Sequence, residues 1–256
     1  MNRYGIDELT HVIGGKGYRI NQYLTVFNPR IYEIMDFGEE LYYQALNLFT
    51  RKPYDVAVEL DDKGIDYQTM TDYDLFFDCT SRISPELSCI LFGKTDFTSF
   101  LKYVNEKDGK KVLVNQSDPD FIIDEAIFRQ IATYLRYIHF ISEQVEYDVG
   151  NKTAKQFLID RMRRKQKKLA KEYQNGKTGN KSVISNMIKY CVNSPGFKYD
   201  YTSVLELPLS LLYESYYFIT YGRERDHILS GIYHGTIDSS KMKDKHILNL
   251  IPDLHK

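Results

Sequence analysis

The chain is 256 residues long and carries 34 Lys or Arg against 35 Asp or Glu, a net charge of −1, with 43% hydrophobic and 14% aromatic residues. This composition reads as a soluble globular chain with disorder at most local, and is enough for a substantial core, in one large domain or two modest ones. No apolar run approaches the roughly 18–20 residues of a membrane helix, and the start MNRYGIDELTHVIGG lacks a basic stretch followed by an apolar one, so neither a membrane span nor secretion is expected.

Residues 1–30 combine Gly14, Gly15 and Gly17 with the β-favouring runs 18–20 and 23–27, which predicts a hairpin. Asn28 and Pro29 make a stop. Ile31, Ile34, Met35, Leu41, Ala45 and Leu48 then share one helical face, with a kink at Gly38. Residues 56–60 read as a strand, 61–64 as a turn, and 71–79 as a helix with a good cap. A short helix is expected over 95–103 and a strand over 110–114.

The clearest element runs over about residues 124–147. Ile127, Ile131, Tyr134, Ile138, Ile141 and Val145 are spaced alternately four and three apart, one apolar stripe that predicts intramolecular packing rather than an oligomer seam. A basic segment forms a helix at least to Tyr173, and 174–180 reads as a loop. Helices follow over 182–192 and 209–229, separated by a turn at Ser194, Pro195 and Gly196, and Gly231 and Gly235 punctuate the tail. The predicted class is α+β, predominantly helical, with a small N-terminal β element, a long central helix and a helical C-terminal unit. The predicted division is a mixed domain at 1–150, a basic connector at 151–181 and a helical unit at 182–256.

Charge is strongly segregated. Residues 151–181 hold eleven Lys or Arg against Asp160 and Glu172, a local balance of +9. Residues 55–78 hold eight acids against Lys63, a balance of −7. The basic run has three readings: a solvated helix face, a contact for an acidic protein, or a nucleic-acid site. Only Phe157 and Tyr173 interleave with the charges, and an isoelectric point near 6.6 argues against a dedicated nucleic-acid protein.

Candidate catalytic chemistry is sparse. The sequence Gly14-Gly15-Lys16-Gly17 lacks the spacing and the Ser or Thr of a phosphate-binding loop and reads as a turn. His11, His139, His227, His234, His246 and His255 show no metal spacing, and His139 reads as a helix-face residue. Cys79, Cys89 and Cys191 are odd in number and widely spaced, which points to reduced structural thiols. Asp118, Asp120, Asp124 and Glu125 have the look of a metal-nuclease cluster, but Asp124 is as easily the cap of the following helix.

Several short stretches resemble a family. Lys63-Gly-Ile-Asp-Tyr67, Asp72-Tyr-Asp-Leu-Phe76, and Ile90-Leu-Phe-Gly93 with Asp96 and Phe97 resemble the tail assembly chaperones and related tail-region proteins of long-tailed bacteriophages of Gram-positive bacteria. So do Gly150-Asn-Lys-Thr-Ala-Lys155 with Leu158, Ile159 and Arg161, then Gly196-Phe-Lys-Tyr199, and Gly231-Ile-Tyr-His-Gly-Thr-Ile-Asp238. The likeness runs from about residue 18 to 251, and none of its pieces is a chemical signature. It implies a non-enzymatic role without cofactor or metal in the host bacterial cytoplasm. Such proteins coat the tape measure protein, help recruit tail tube subunits and are usually absent from the finished particle.

The residues expected to face a partner are Arg161, Arg163, Arg164, Lys165, Lys167, Lys168 and Lys171 in the basic run, with Leu212, Tyr213, Tyr216 and Tyr217 in the C-terminal helix. Ile131, Tyr134 and Ile138 are a second candidate set. For both apolar sets the competing reading is core. The alternatives to a chaperone are a structural tail or baseplate component, a nucleic-acid-binding phage protein acting through 151–181, and a metal-dependent nuclease. Self-association is a further expectation, and contact with a membrane is not.

Overall fold

In the computed structural model, residues 6–7, 9–106, 109–141, 150–175, 182–242 and 245–250 are described. The expected hairpin forms from β1 (Tyr18–Arg19) and β2 (Thr25–Val26), antiparallel, with Tyr18 opposite Val26. Asn21 closes its loop by accepting the Tyr23 and Leu24 N–H groups on Oδ1 at 2.9 Å each. A π-helical turn at Leu9–Ile13 precedes it.

Gly38 does more than kink the next helix. At φ 101° it separates α1 (Ile31–Phe37) from α2 (Glu39–Thr50). The break resets the helical phase, so Ile31 and Ile34 are continued inward by Tyr42, Ala45, Leu46 and Phe49, while Met35 and Leu41, expected inside, are 58% and 47% exposed. The expected strand at 56–60 is instead a 3₁₀ turn, Pro53–Val56, running into α3 (Ala57–Asp62). Pro53 starts that turn and Asp55 accepts the Lys52 N–H at 2.8 Å, so the local chemistry nucleates a helix.

The helix expected at 71–79 is α4 (Asp72–Cys79), closed by a reciprocal box in which Thr71 Oγ1 accepts the Asp74 N–H at 3.0 Å and Asp74 accepts the Thr71 N–H at 2.9 Å. α5 (Pro85–Phe92) goes beyond the sequence reading, although Ser84 followed by Pro85 is a helix-start signal. Residues 95–103, expected as helix, form a 3₁₀ turn at Phe97–Ser99 and then β3 (Phe100–Val104). β3 pairs antiparallel with β4 (Lys111–Asn115), which pairs antiparallel with β5 (Ile122–Ile123). Pairing of two adjacent β-capable runs satisfies more backbone groups than a short isolated helix.

α6 (Glu125–Ile138) is N-capped by Asp124, which accepts the Ile127 N–H at 2.9 Å. It buries Ile131, Tyr134 and Ile138 of the expected stripe and stops well before 147, because Phe140 turns the chain at φ 53° and Ile141 is already 37% exposed. Val145 lies outside the described residues. α7 (Lys152–Gln174) is the expected basic helix, and residues 176–180 of the predicted loop lie outside the described residues. α8 (Val183–Val192) is capped by Ser182 and also by Glu39 of α2, whose Oε1 accepts the Val183 and Ile184 N–H groups. α9 (Leu209–Tyr233) carries Gly231 within it and ends before Gly235 at φ 71°. Helices dominate over two small sheets, the α+β class predicted from the sequence.

The stretch before α1 is stitched to the stretch before α9. The Ile31 N–H donates to the Leu207 carbonyl and the Leu209 N–H to the Pro29 carbonyl, each at 3.0 Å, and Asn28 Nδ2 donates to Ser210 Oγ at 2.7 Å. The main core accordingly draws on both sides of the predicted division, joining Phe49, Phe76, Phe97 and Ile131 to Ile184, Cys191, Leu209 and Leu212. A second, smaller cluster contains Val56, Leu60, Tyr67, Leu75 and Cys79, to which α7 contributes Ile159. Among the described residues no helix is long and apolar enough to cross a membrane.

Candidate functional site

The two oppositely charged stretches meet. α7 lies against α3 and the 3₁₀ turn Tyr67–Thr69 through one face of its first half, where residues 155, 159, 162 and 163 recur at helical spacing. Ile159 is 2% exposed and Met162 packs beside it. Around that contact sit the ion pairs. Arg163 donates to Asp61 at 3.0 Å, to Asp62 at 2.6 Å and to Asp160 at 3.3 Å. Lys155 pairs with Asp66 and sits over the Tyr67 ring, 4.9 Å from its centroid. Hydrogen bonds donated to Asp61 and Asp62 hold the Arg163 proton more firmly than usual, and the hydrogen bond from Lys155 lowers the Asp66 carboxyl below its ordinary range.

Beyond Arg163 the helix projects about 16 Å further at 1.5 Å per residue. Arg164, Lys165, Lys167, Lys168 and Lys171 are exposed along it, as is Leu169 at 50%. Arg161, Arg164, Lys165, Lys167 and Lys171 have no ion-pair partner among the described residues, and Lys168 has only Glu172 at 3.9 Å. The seven basic candidates therefore separate. Arg163 is spent on α3, whereas the other six are presented outward. Position on the helix decides this, and the run of charges in the sequence does not reveal it.

The apolar candidates are placed differently. Leu212, Ile131, Tyr134 and Ile138 are fully buried, so packing is the reading that the structure supports for them. The Tyr213 and Tyr43 hydroxyls share a hydrogen bond of 2.8 Å, and Tyr216 meets Tyr190 edge-on at 5.2 Å. Of this group only Tyr217, 37% exposed and 5.2 Å from the Phe140 ring, offers an appreciable surface.

His139, read as a helix-face residue, is 5% exposed. Its Nδ1 lies 2.7 Å from the Leu135 carbonyl and its Nε2 is hydrogen-bonded to the Tyr42 hydroxyl. Burial pushes its pKa down to about 4, which keeps the ring neutral and able to serve Tyr42. Asp118 and Asp124 are occupied by local backbone N–H groups, the latter as a cap. Among the described residues no three His, Cys, Asp or Glu groups converge to hold a metal ion.

No family model, no curated protein and no solved structure matches the chain. A cleft of about 690 Å³ opens beside Gly15, Phe27, Arg30, Cys89, Gly93 and Pro208. Its cation is already used, since Arg30 pairs with Glu206 at 2.9 Å. Gly14 is a bend where a turn was expected, and Gly15, at φ 63°, lies so close to Pro208 that a Cβ there would come within 2.5 Å of Cγ. The outer half of α7 is the strongest candidate, because it combines exposure, length and uncompensated charge.

Proposed function

We propose that this protein is a non-enzymatic assembly factor acting through protein contact in the bacterial cytoplasm. In this reading it is a phage tail assembly chaperone that binds the tape measure protein and assists tail tube assembly. The observation that carries the reading is α7, a 23-residue helix anchored to the body by one face of its first half and exposed over residues 164–171. A long helix with this charge is a surface ready for a partner, and long-range attraction speeds encounter before short-range contacts form.

The test is co-expression with the neighbouring gene products, followed by affinity capture after nuclease treatment at low and moderate salt. Retention of a long helical protein supports the proposal. Capture of nucleic acid alone, lost on nuclease treatment, replaces it with a nucleic-acid function. Recovery of the chain as a stoichiometric part of purified particles replaces it with a structural role.

A further inference from the structure

Phe157, Arg161, Arg164, Lys168 and Lys171 are separated by four, three, four and three residues, so they fall on one stripe of α7. That stripe lies on the side of the helix opposite residues 155, 159 and 163, which hold α3 and Asp66. It is about 20 Å long by helical rise. Phe157 stands at its N-terminal end, 70% exposed, and the four cations follow.

The inner face shows what this helix recognises. There a cation forks between two carboxylates of α3, a second cation takes Asp66, and one apolar side chain, Ile159, fills the gap between them. The outer stripe carries the same kinds of side chain in a different order, one apolar residue at its end followed by four cations, and no carboxylate from outside α7 reaches it among the described residues. Within α7, Glu172 lies 3.9 Å from Lys168, and Asp160, next to Arg161, is paired with Arg163.

We propose that the outer stripe of α7 is a docking site for an acidic helix of a partner protein, with carboxylates spaced three and four apart and an apolar residue placed to cover Phe157. Row-to-row pairing of this kind demands a periodic partner, whereas a polyphosphate needs none. The inner precedent is carboxylate recognition, since Arg163 and Lys155 of the same helix already take Asp61, Asp62 and Asp66. The inference rests on the interaction reading only in taking α7 as the contact.

The experiment uses the purified full chain and a labelled, acidic, helical peptide about 20 residues long, with Glu at the matching spacing and one Leu at the end. A scrambled peptide of the same composition and an RNA of similar length are the comparators. The periodic peptide is expected to bind, to exceed the scrambled one by about tenfold, and to weaken by a similar factor in R161E/R164E/K168E/K171E. The milder R164Q/K168Q keeps the result interpretable should the fourfold reversal fail to fold, and circular dichroism and thermal melting report folding for both. Equal binding of the two peptides, tighter binding of RNA, or no binding of the periodic peptide overturns the proposal. Because the probe is synthetic, peptide binding without capture of a tail protein leaves the stripe standing and removes the chaperone reading. Capture without peptide binding does the reverse.

Discussion

The Arg163 guanidinium on α7 reaches the Asp62 carboxylate on α3, 2.6 Å away and 101 residues earlier in the chain. This pair, with Asp61 beside it, ties the basic segment to the acidic one and divides α7 into a held half and a free half. The contact encloses little apolar surface of α7 beyond Ile159 and Met162.

Arg163→Glu is therefore expected to release α7 from α3, with faster tryptic cleavage inside residues 152–174 and little change in the melting of the main core. Arg164→Glu, one position on, leaves the digestion pattern unchanged. Identical digestion of the two variants would show that the ion pairs do not hold the helix.

Ile159→Ala removes a fully inserted apolar side chain of α7, 2% exposed, and is expected to weaken its docking by about 2–4 kcal/mol. Hydrogen exchange read over α7 should rise to that of an undocked helix, while exchange over α6 stays slow.

Acid should destabilise the fold through His139. Its folded pKa of about 4 lies below the ordinary value of 6.5, so between those pH values the unfolded chain binds a proton that the folded chain refuses. The contribution is present above about pH 6.5 and is lost as the pH falls through 4, on the order of 3 kcal/mol. Tyr42, the Tyr213 ring and the Leu135 carbonyl face the imidazole, and none supplies a countercharge. Urea unfolding from pH 7 to 4 checks the slope, which should flatten in His139→Gln.

Gly15→Ala combines a left-handed backbone with a collision against Pro208, and a loss of about 1–3 kcal/mol is expected. Gly64→Ala, at φ 72° with nothing within 4 Å of the added atom, should cost only about 1 kcal/mol. Equal melting shifts for the two would mean that the contact between the N-terminal segment and Pro208 carries no weight.

Removing residues 182–256 takes Ile184, Met187, Cys191, Leu209 and Leu212 out of the main core. The remaining chain is expected to bind hydrophobic dyes and to lose cooperative melting. A cooperative transition in that fragment would establish the C-terminal unit as separable.

Several elements were legible because their causes are local. Thr71, Asp124 and Ser182 cap helices where a hydroxyl or carboxylate precedes an apolar period, and the basic stretch had only to be helical to give α7. Others were illegible because long-range pairing or packing chose between close alternatives. Residues 100–104 became a strand because 111–115 lay within reach, and residues 57–62 became a helix under Pro53 and Asp55.

The candidate site divides in the same way. Composition and spacing along the chain determined that a basic helix and an acidic stretch exist, and they placed Phe157, Arg161, Arg164, Lys168 and Lys171 on one helical stripe. Only the tertiary structure decided which cations remain available. Docking through Ile159 spends Arg163 on α3 and Lys155 on Asp66, and closure of the core buries Leu212 and Tyr134. Helical periodicity says which residues share a face, but which face turns inward depends on an apolar surface contributed by residues a hundred positions away.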